Sequence, residues 1–422
     1  MKNGIARITR TSVCCLAITS GVLFSVQLRA DVVTDWNQTT AQALNGGGVG
    51  FAKQTRAMAI VHAAMFDAMN AIAQRYQCYA FCAAADPGAS VVAAGAAAAH
   101  RVLRALVPSQ QALLDAAYAT SLAAVTDATA RASGESIGTA AADALLAQRA
   151  ADGSAAVATY TPVVKPGVWR PTLPLFAPAV GVAWANVTPF LLRNADQFIP
   201  SGPPSLGSAA YTADFLEVSS LGAINSATRT ADETEAARFW LEGSNITWNQ
   251  IARIVSAQRN TDAVDNARLF ALLNMAGADA IITGFRAKYI YGFWRPVTAI
   301  READTDGNPM TVADTSWLPL AVTPAHPDYP SNHALYSAAA AHVLAKFFHS
   351  DRAEFRLTTS TAPNSAVRAY HSFRGAADEC GSSRVWLGYH FRTAVRDGLR
   401  EGKRIGKWAS HSLLPVDGQD ED

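Results

Sequence analysis

The chain has 422 residues, half of them hydrophobic, and 35 basic side chains against 34 acidic ones leave a formal net charge of +1. That length buries a sizeable core, as one large domain or two ordinary ones. The balanced charge gives no footing for nucleic acid or an anionic membrane surface as a partner.

Residues 1–30 read as an export signal. Lys2, Arg7 and Arg10 make a basic start, residues 11–26 (TSVCCLAITSGVLFSV) an apolar stretch, and Leu28-Arg29-Ala30 an imperfect cleavage site. The alternative, an uncleaved anchor, suits the stretch less well because it is short for spanning. The mature protein is expected to be exported, periplasmic or secreted, with no second segment long and apolar enough to cross a bilayer. Cys14 and Cys15 leave with the signal, so Cys78, Cys82 and Cys380 remain. One bridge is possible in an oxidising compartment, and the sequence does not name the pair. Three cysteines without a CxxC spacing do not make a zinc site.

Residues 31–160 read as an N-terminal helical region. The recurrence of Ile60, Ala64, Phe66, Ala68 and Ile72 predicts a helix over 53–73, and Ala-rich helices follow over 87–158, broken near Pro108 and Gly134. Residues 161–207 form a Pro-rich connection. Trp169, Trp184, Phe190 and Phe198 need burial, so this segment is expected to wrap the surface. Residues 208–422 read as a C-terminal helical bundle, one compact unit with the N-terminal helices. Its helices are expected at about 209–220, 230–241, 246–256, 262–290, 331–348 and 385–410. Strand signals are scarce, so the predicted class is all-α, built of helical bundles.

Three stretches of the C-terminal half carry unusual chemistry. In 288-KYIYGFWRP-296, Lys288 and Arg295 are about two helical turns apart, and Pro296 pushes Arg295 out of helical geometry. In 330-PSNH-333, Pro330 suits a helix start, and the amides of Ser331 and Asn332 would cradle an anion. In 383-SRVWLGYH-390, Ser383 reads as the N-cap of the final helix, with Arg384 and His390 roughly cofacial. Three cations, a helix N-terminus and two histidines make a kit for a tetrahedral oxyanion. One histidine would bond the central atom, and the other would move a proton. His333 is then explained: it sits in the first turn of a helix, where the field lowers its pKa, because an anion is held there.

The ordered set resembles the superfamily of type 2 phosphatidic acid phosphatases and vanadium-dependent haloperoxidases, whose motifs are K-x6-R-P, P-S-G-H and S-R-x5-H-x3-D. Here they stand as Lys288 to Arg295-Pro296, Pro330-Ser331-Asn332-His333, and Ser383-Arg384 to His390. The stretches 293-FWRPVTAIR-301, 62-HAAMFDAMNAI-72, 188-TPF-190, 225-NSATRTADETEAARFW-240 and 402-GKRIG-406 look like the soluble bacterial haloperoxidase-like branch. The resemblance implies an all-α fold whose four-helix bundle core houses the anion. It implies Lys288, Arg295 and Arg384 on the oxygens of vanadate or phosphate, with Ser331 donating through its hydroxyl and Asn332 through its backbone N–H. His390 becomes the apical ligand of vanadium, or the phosphate-attacking nucleophile of a phosphatase, and His333 the acid–base residue. Two positions depart from the pattern: Asn332 stands for the motif glycine and crowds the anion, and Ala394 stands for the aspartate that orients the histidine. Losing that aspartate hurts a nucleophilic histidine more than a metal ligand, and Asp279 or Glu379 is a candidate replacement.

The expected function is a vanadate-dependent haloperoxidase-like enzyme. Hydrogen peroxide is the oxidant, polarised by Lys288, a halide the reductant, and an organic acceptor the final partner. The alternative is a soluble acid phosphatase that cleaves a phosphate monoester through a phosphohistidine at His390. A further alternative is a periplasmic oxyanion binder without turnover. Oligomeric state, halide and acceptor are not legible. Of the remaining candidates, His62, Asp67 and Asn70 read as core packing with satisfied hydrogen bonds. His326 and Asp328 either line the entrance or cap the helix. His371, in a turn before the third motif, either reaches the site or is exposed; Trp294 reads as pocket wall or core, and 417-DGQDED-422 as a solvated end.

Overall fold

The computed structural model describes Met1 and residues 31–416. The export signal (Met1 apart) and the acidic tail 417–422 lie outside the described residues. Asp31 starts α1 (Val32–Gly46), its carboxylate accepting from the Val33 and Thr34 amides. There follow α2 (Phe51–Ala73), α3 (Val91–Leu106), α4 (Gln111–Ala123) and α5 (Ala128–Gln148). Pro108 breaks the chain as expected. Gly134 does not: it lies inside α5, where a Cβ would stand 2.4 Å from the Ser90 carbonyl oxygen. It serves the close approach of α5 to α3, and the break falls at Asp127, which caps α5.

The Pro-rich connection has one helical turn, Ala183–Asn186, and wraps the surface with Trp169, Trp184 and Phe190 buried. Then come α6 (Ala209–Leu221), α7 (Ala231–Phe239), α8 (Ser244–Arg259), α9 (Ala263–Tyr291), α10 (Pro296–Arg301) and α11 (Asn332–Phe347). A small antiparallel hairpin, β1 (Arg352–Leu357) and β2 (Arg368–Ser372), precedes α12 (Phe373–Trp386) and α13 (Arg392–Ala409). The hairpin was not expected. Its first strand alternates exposed and buried residues, but over six residues only.

The single helix expected over 385–410 is two. Ser372, not Ser383, caps α12 by accepting from the Gly375 amide. Ser383 instead donates through its hydroxyl to the Cys380 carbonyl. Gly388 breaks the run with φ +73°, and a Cβ there would stand 2.6 Å from the Gly222 carbonyl and 2.8 Å from Trp317. Only a glycine fits that turn, and it leaves His390 in the link between the helices.

α9, α11, α12 and α13 pack on one another as a four-helix bundle, while α2, α3 and α5 pack together on the far side of α9. The largest hydrophobic cluster draws on both sides, from Trp36 and Phe66 through Phe270 to Leu344 and Phe373. By length and composition α9 could cross a membrane, contrary to the expectation of no such second segment, yet it is the buried centre of the fold. Cys78 and Cys82 form a disulfide, and Cys380 is a buried thiol.

Candidate functional site

Lys288 lies in the last turn of α9. The chain leaves the helix at Gly292 and reaches Arg295 in extended geometry (φ −84°, ψ 154°) just before Pro296, as the Arg-Pro sequence predicts. Ser331 caps α11, its Oγ accepting from the Ala334 amide at 3.4 Å. Arg384 ends α12, and His390 follows the Gly388 turn. Two loops and three helix ends thus converge.

The contacts are short. Arg295 Nη1 donates to the Tyr389 carbonyl at 2.8 Å and to His390 Nε2 at 3.1 Å. Its Nε reaches the His326 carbonyl at 2.8 Å and its Nη2 reaches His326 Nδ1 at 3.0 Å. Lys288 Nζ donates to the carbonyls of Pro327, Asp328 and Pro330 at 2.7, 2.8 and 2.6 Å. Three acceptors match the three hydrogens of an ammonium, so the amine is charged, although burial and then Arg295 pull its pKa well below the usual lysine value. Arg384 donates through Nε to Ser383 Oγ at 3.0 Å and through Nη2 to the Trp240 carbonyl at 2.5 Å. Among the described residues its Nη1 has no partner.

Lys288 and Arg295 are 0% exposed and Arg384 1%. Asp328, also 0% exposed, is the carboxylate whose charge acts on Lys288 and Arg295; none acts comparably on Arg384. Even with Asp328 ionised, the three cations leave an excess of two positive charges among the described residues. Each buried unpaired charge costs on the order of several kcal/mol, and a bound oxyanion of charge −1 or −2 removes that cost.

His390 faces Arg295 with Nε2 and Asp328 with Nδ1, which lies 2.9 Å from Oδ1. That second contact lies off the line of an ideal hydrogen bond. Burial, then Arg295 and Lys288, keep the ring neutral by pulling its pKa well below 6.5. Burial pushes the Asp328 carboxyl up to about 7, against the opposite pull of Arg295 and Lys288. His333 is half-buried in the first turn of α11. Its Nε2 is 3.3 Å from the Glu242 carbonyl, and its ring stacks on Phe51 at 6.3 Å between centroids. Burial and then Arg384 lower its pKa well below 6.5.

Asn332 points its Oδ1 at α9, to within 2.2 Å of where a Cβ on Gly284 would stand. The crowding expected at the anion is thus met, on the Oδ1 side, by a missing side chain on the neighbouring helix. Asp279 and Glu379 do not replace the motif aspartate: Asp279 accepts from the amides of Phe190, Leu191 and Leu192, and Glu379 from Trp240, Arg368 and Tyr370. The carboxylate at His390 is Asp328, from the loop before α11. His326 joins it in the site through Arg295. Sequence reasoning left both between entrance and cap; the available signal was that Asp328 is the one acid between Pro324 and His333. His62 bonds Asn37, Asp67 caps the 79–81 amides, and Asn70 ties Arg75 and Tyr76. Trp294 is core, and His371 is exposed beside Glu354.

Fold and site together define an all-α protein with three buried cations and two histidines gathered at the helix ends. Residues 268–415 match the family model of the VCPO second helical-bundle domain. A 199-residue stretch is 26% identical to the vanadium chloroperoxidase of Curvularia inaequalis, covering 39% of this chain and 32% of that protein; the chain thus spans about a third of that relative's length. The fold is similar to the crystal structure of the first bacterial vanadium-dependent iodoperoxidase (TM-score 0.81, 23% identity, 92% of this chain and 97% of that one). It is also similar to a holo-type bacterial vanadium-dependent chloroperoxidase (TM-score 0.70, 19% identity, 86% and 91%). The match over residues 268–415 and the vanadium chloroperoxidase relative support the superfamily of vanadium-dependent haloperoxidases and type 2 phosphatidic acid phosphatases.

Proposed function

We propose that this protein is an exported vanadate-dependent haloperoxidase-like enzyme that uses hydrogen peroxide to oxidise a halide, with an organic acceptor downstream. The observation that carries the reading is the excess of buried positive charge at Lys288, Arg295 and Arg384. The kinship with vanadium chloro- and iodoperoxidases supports vanadate as the anion. The pocket fits it by its donor set: a neutral histidine nitrogen, cationic donors and a helix N-terminus. Bound vanadate supplies a Lewis acid that activates peroxide without changing oxidation state.

The chain's own residues divide the remaining work. Arg384, with Nη1 uncommitted, is the readiest donor to an oxyanion. Lys288 acts first through its charge, because its hydrogens already hold the 327–330 loop. The Ser331 hydroxyl and the Asn332 amide open α11 toward the anion, whereas the Ser331 amide, expected in the cradle, is committed to the Ala394 carbonyl at 3.0 Å. His390 would ligate through Nε2, whose single lone pair here accepts from Arg295 Nη1, so Arg295 would have to turn that donor to the anion's oxygens. His333, kept neutral, accepts and returns a proton at a ring nitrogen. The export signal read at 1–30 and the Cys78–Cys82 disulfide support a periplasmic or secreted location.

A second reading stays in view because of one contact. The missing aspartate at Ala394 argued against a nucleophilic histidine, and Asp328 beside His390 removes that argument. An acid phosphatase would use this pair to attack phosphorus. The test is a paired assay on mature protein stripped of metal and phosphate. One half receives orthovanadate, peroxide, bromide and a bromination acceptor; the other an aryl phosphate. Vanadate-dependent bromination, lost in His390→Ala, is expected. Phosphate release abolished by vanadate would move the protein to the phosphatases. Tight oxyanion binding with no rate in either half would leave a binding protein.

A further inference from the structure

We propose that Asp328 is the positioning residue for His390, holding its imidazole with the proton on Nδ1 so that Nε2 presents its lone pair to the oxyanion. The proposal rests on the reading of this pocket as an oxyanion site and deepens it.

Two contacts on opposite sides of the ring agree. Arg295 Nη1 can only donate, so His390 Nε2, 3.1 Å away, must accept. A neutral ring then carries its hydrogen on Nδ1, and Asp328 Oδ1 lies 2.9 Å from that atom. Neither Asp328 oxygen nor His390 Nδ1 makes an aligned hydrogen bond among the described residues, so these buried atoms have each other as near neighbours at 2.9 Å and a small turn of the ring would join them; the Phe391 amide is the other donor near the carboxylate. Both side chains are buried, so no water competes strongly for the contact.

The placement of Asp328 is itself fixed. Lys288 grips the carbonyls of Pro327, Asp328 and Pro330, so one ammonium pins the backbone that carries the carboxylate at three points. Ala394 offers only a methyl, and its carbonyl is spent on the Ser331 amide at 3.0 Å. The orienting group therefore comes from the loop before α11, not from the helix after the histidine. One short segment, 326–333, then sets the helix start, the proton carrier and the orientation of the ligating ring. Partners of this kind typically tune ligand affinity by about 10–100-fold.

The test uses the mature protein with 15N-labelled histidine, free of vanadate and phosphate, with the His390 signals assigned by their loss in His390→Ala. Long-range proton–nitrogen correlation should show a protonated Nδ1 and an unprotonated Nε2 at His390 in the native protein. Asp328→Leu, similar in size but without an acceptor, should lose that preference and weaken orthovanadate binding by about 10–100-fold. Asp328→Asn, which keeps an acceptor oxygen, should retain the nitrogen pattern and bind between the two. A native ring protonated on Nε2 overturns the proposal, and so does a Leu variant with native pattern and affinity. If the Leu variant does not fold, Asp328→Ser, too short to reach the ring, is read in the same two ways, and native pattern with native affinity overturns the proposal. Should the native protein bind neither orthovanadate nor phosphate, the oxyanion reading fails instead, while the nitrogen pattern of the variant against the native protein still reports on Asp328.

Discussion

A carboxamide, Asn332, stands where the resemblance leads one to expect a glycine, and the structure makes room for it from the other side. Gly284 is one turn before Lys288 on α9, and Asn332 Oδ1 occupies the space its Cβ would take. Position 284 should therefore be intolerant while 332 is not. Gly284→Ala should destabilise by about 1–3 kcal/mol in denaturant unfolding, as overpacking does. Asn332→Gly in the same chain should recover most of that loss; additive losses would show that the two positions do not share the space. His333 makes a separate prediction. It sits beside the pocket with its ring neutral, so His333→Ala should slow bromination while leaving orthovanadate affinity within a few fold, measured by titration against the native protein.

At the scale of elements, the link between α12 and α13 does most to build the site, because it sets where His390 stands. Gly388→Ala would force a Cβ into the Gly222 carbonyl at a φ that L side chains rarely adopt. It should lower the melting temperature and weaken orthovanadate binding together; binding unchanged in a destabilised protein would mean that the link does not hold the histidine. This link also marks what the sequence could not convey. Helices with clear apolar recurrence and caps were legible, among them α2, α9 and α11, as was the bend at Arg295-Pro296. The run 385–410 read as one helix because nothing local distinguishes Gly388 from a tolerated helical glycine; the reason lies in Gly222 and Trp317, distant in sequence. Asp328 was missed as His390's partner for a similar reason. A carboxylate between two prolines reads as a turn residue until the fold sets an imidazole against it. The cations were legible as a set through their spacing. That Lys288 spends its hydrogens on a loop was not, since carbonyl positions follow only from the folded backbone.

For the whole molecule, acid is the telling stress. His62, buried beside Asn37, has its pKa pushed down to about 3 by burial and then by Arg253. The unfolded chain takes up a proton there below about 6.5 and the folded one does not, so stability is lost as pH falls from about 6.5 toward 3. The loss is roughly 1.4 kcal/mol per pH unit, about 2 kcal/mol at pH 5. His62→Gln should flatten the slope of urea-unfolding stability between pH 7 and 5 by that amount. An unchanged slope would mean the imidazole is solvated or paired in acid.

α9 has a consequence of its own. Its 29 residues make a rod about 44 Å long, and the two groups of helices use it as a common wall. Neither group owns its core, so neither has an independent melting point to lose. Calorimetry should therefore record one endotherm whose calorimetric and van't Hoff enthalpies agree. A cut that removed residues 31–160 would strip one face of α9 and, with it, the footing of Lys288 at the rod's far end. The half that carries the candidate site is then a lodger in a shared building, and a damaged room at one end should be felt as draught at the other.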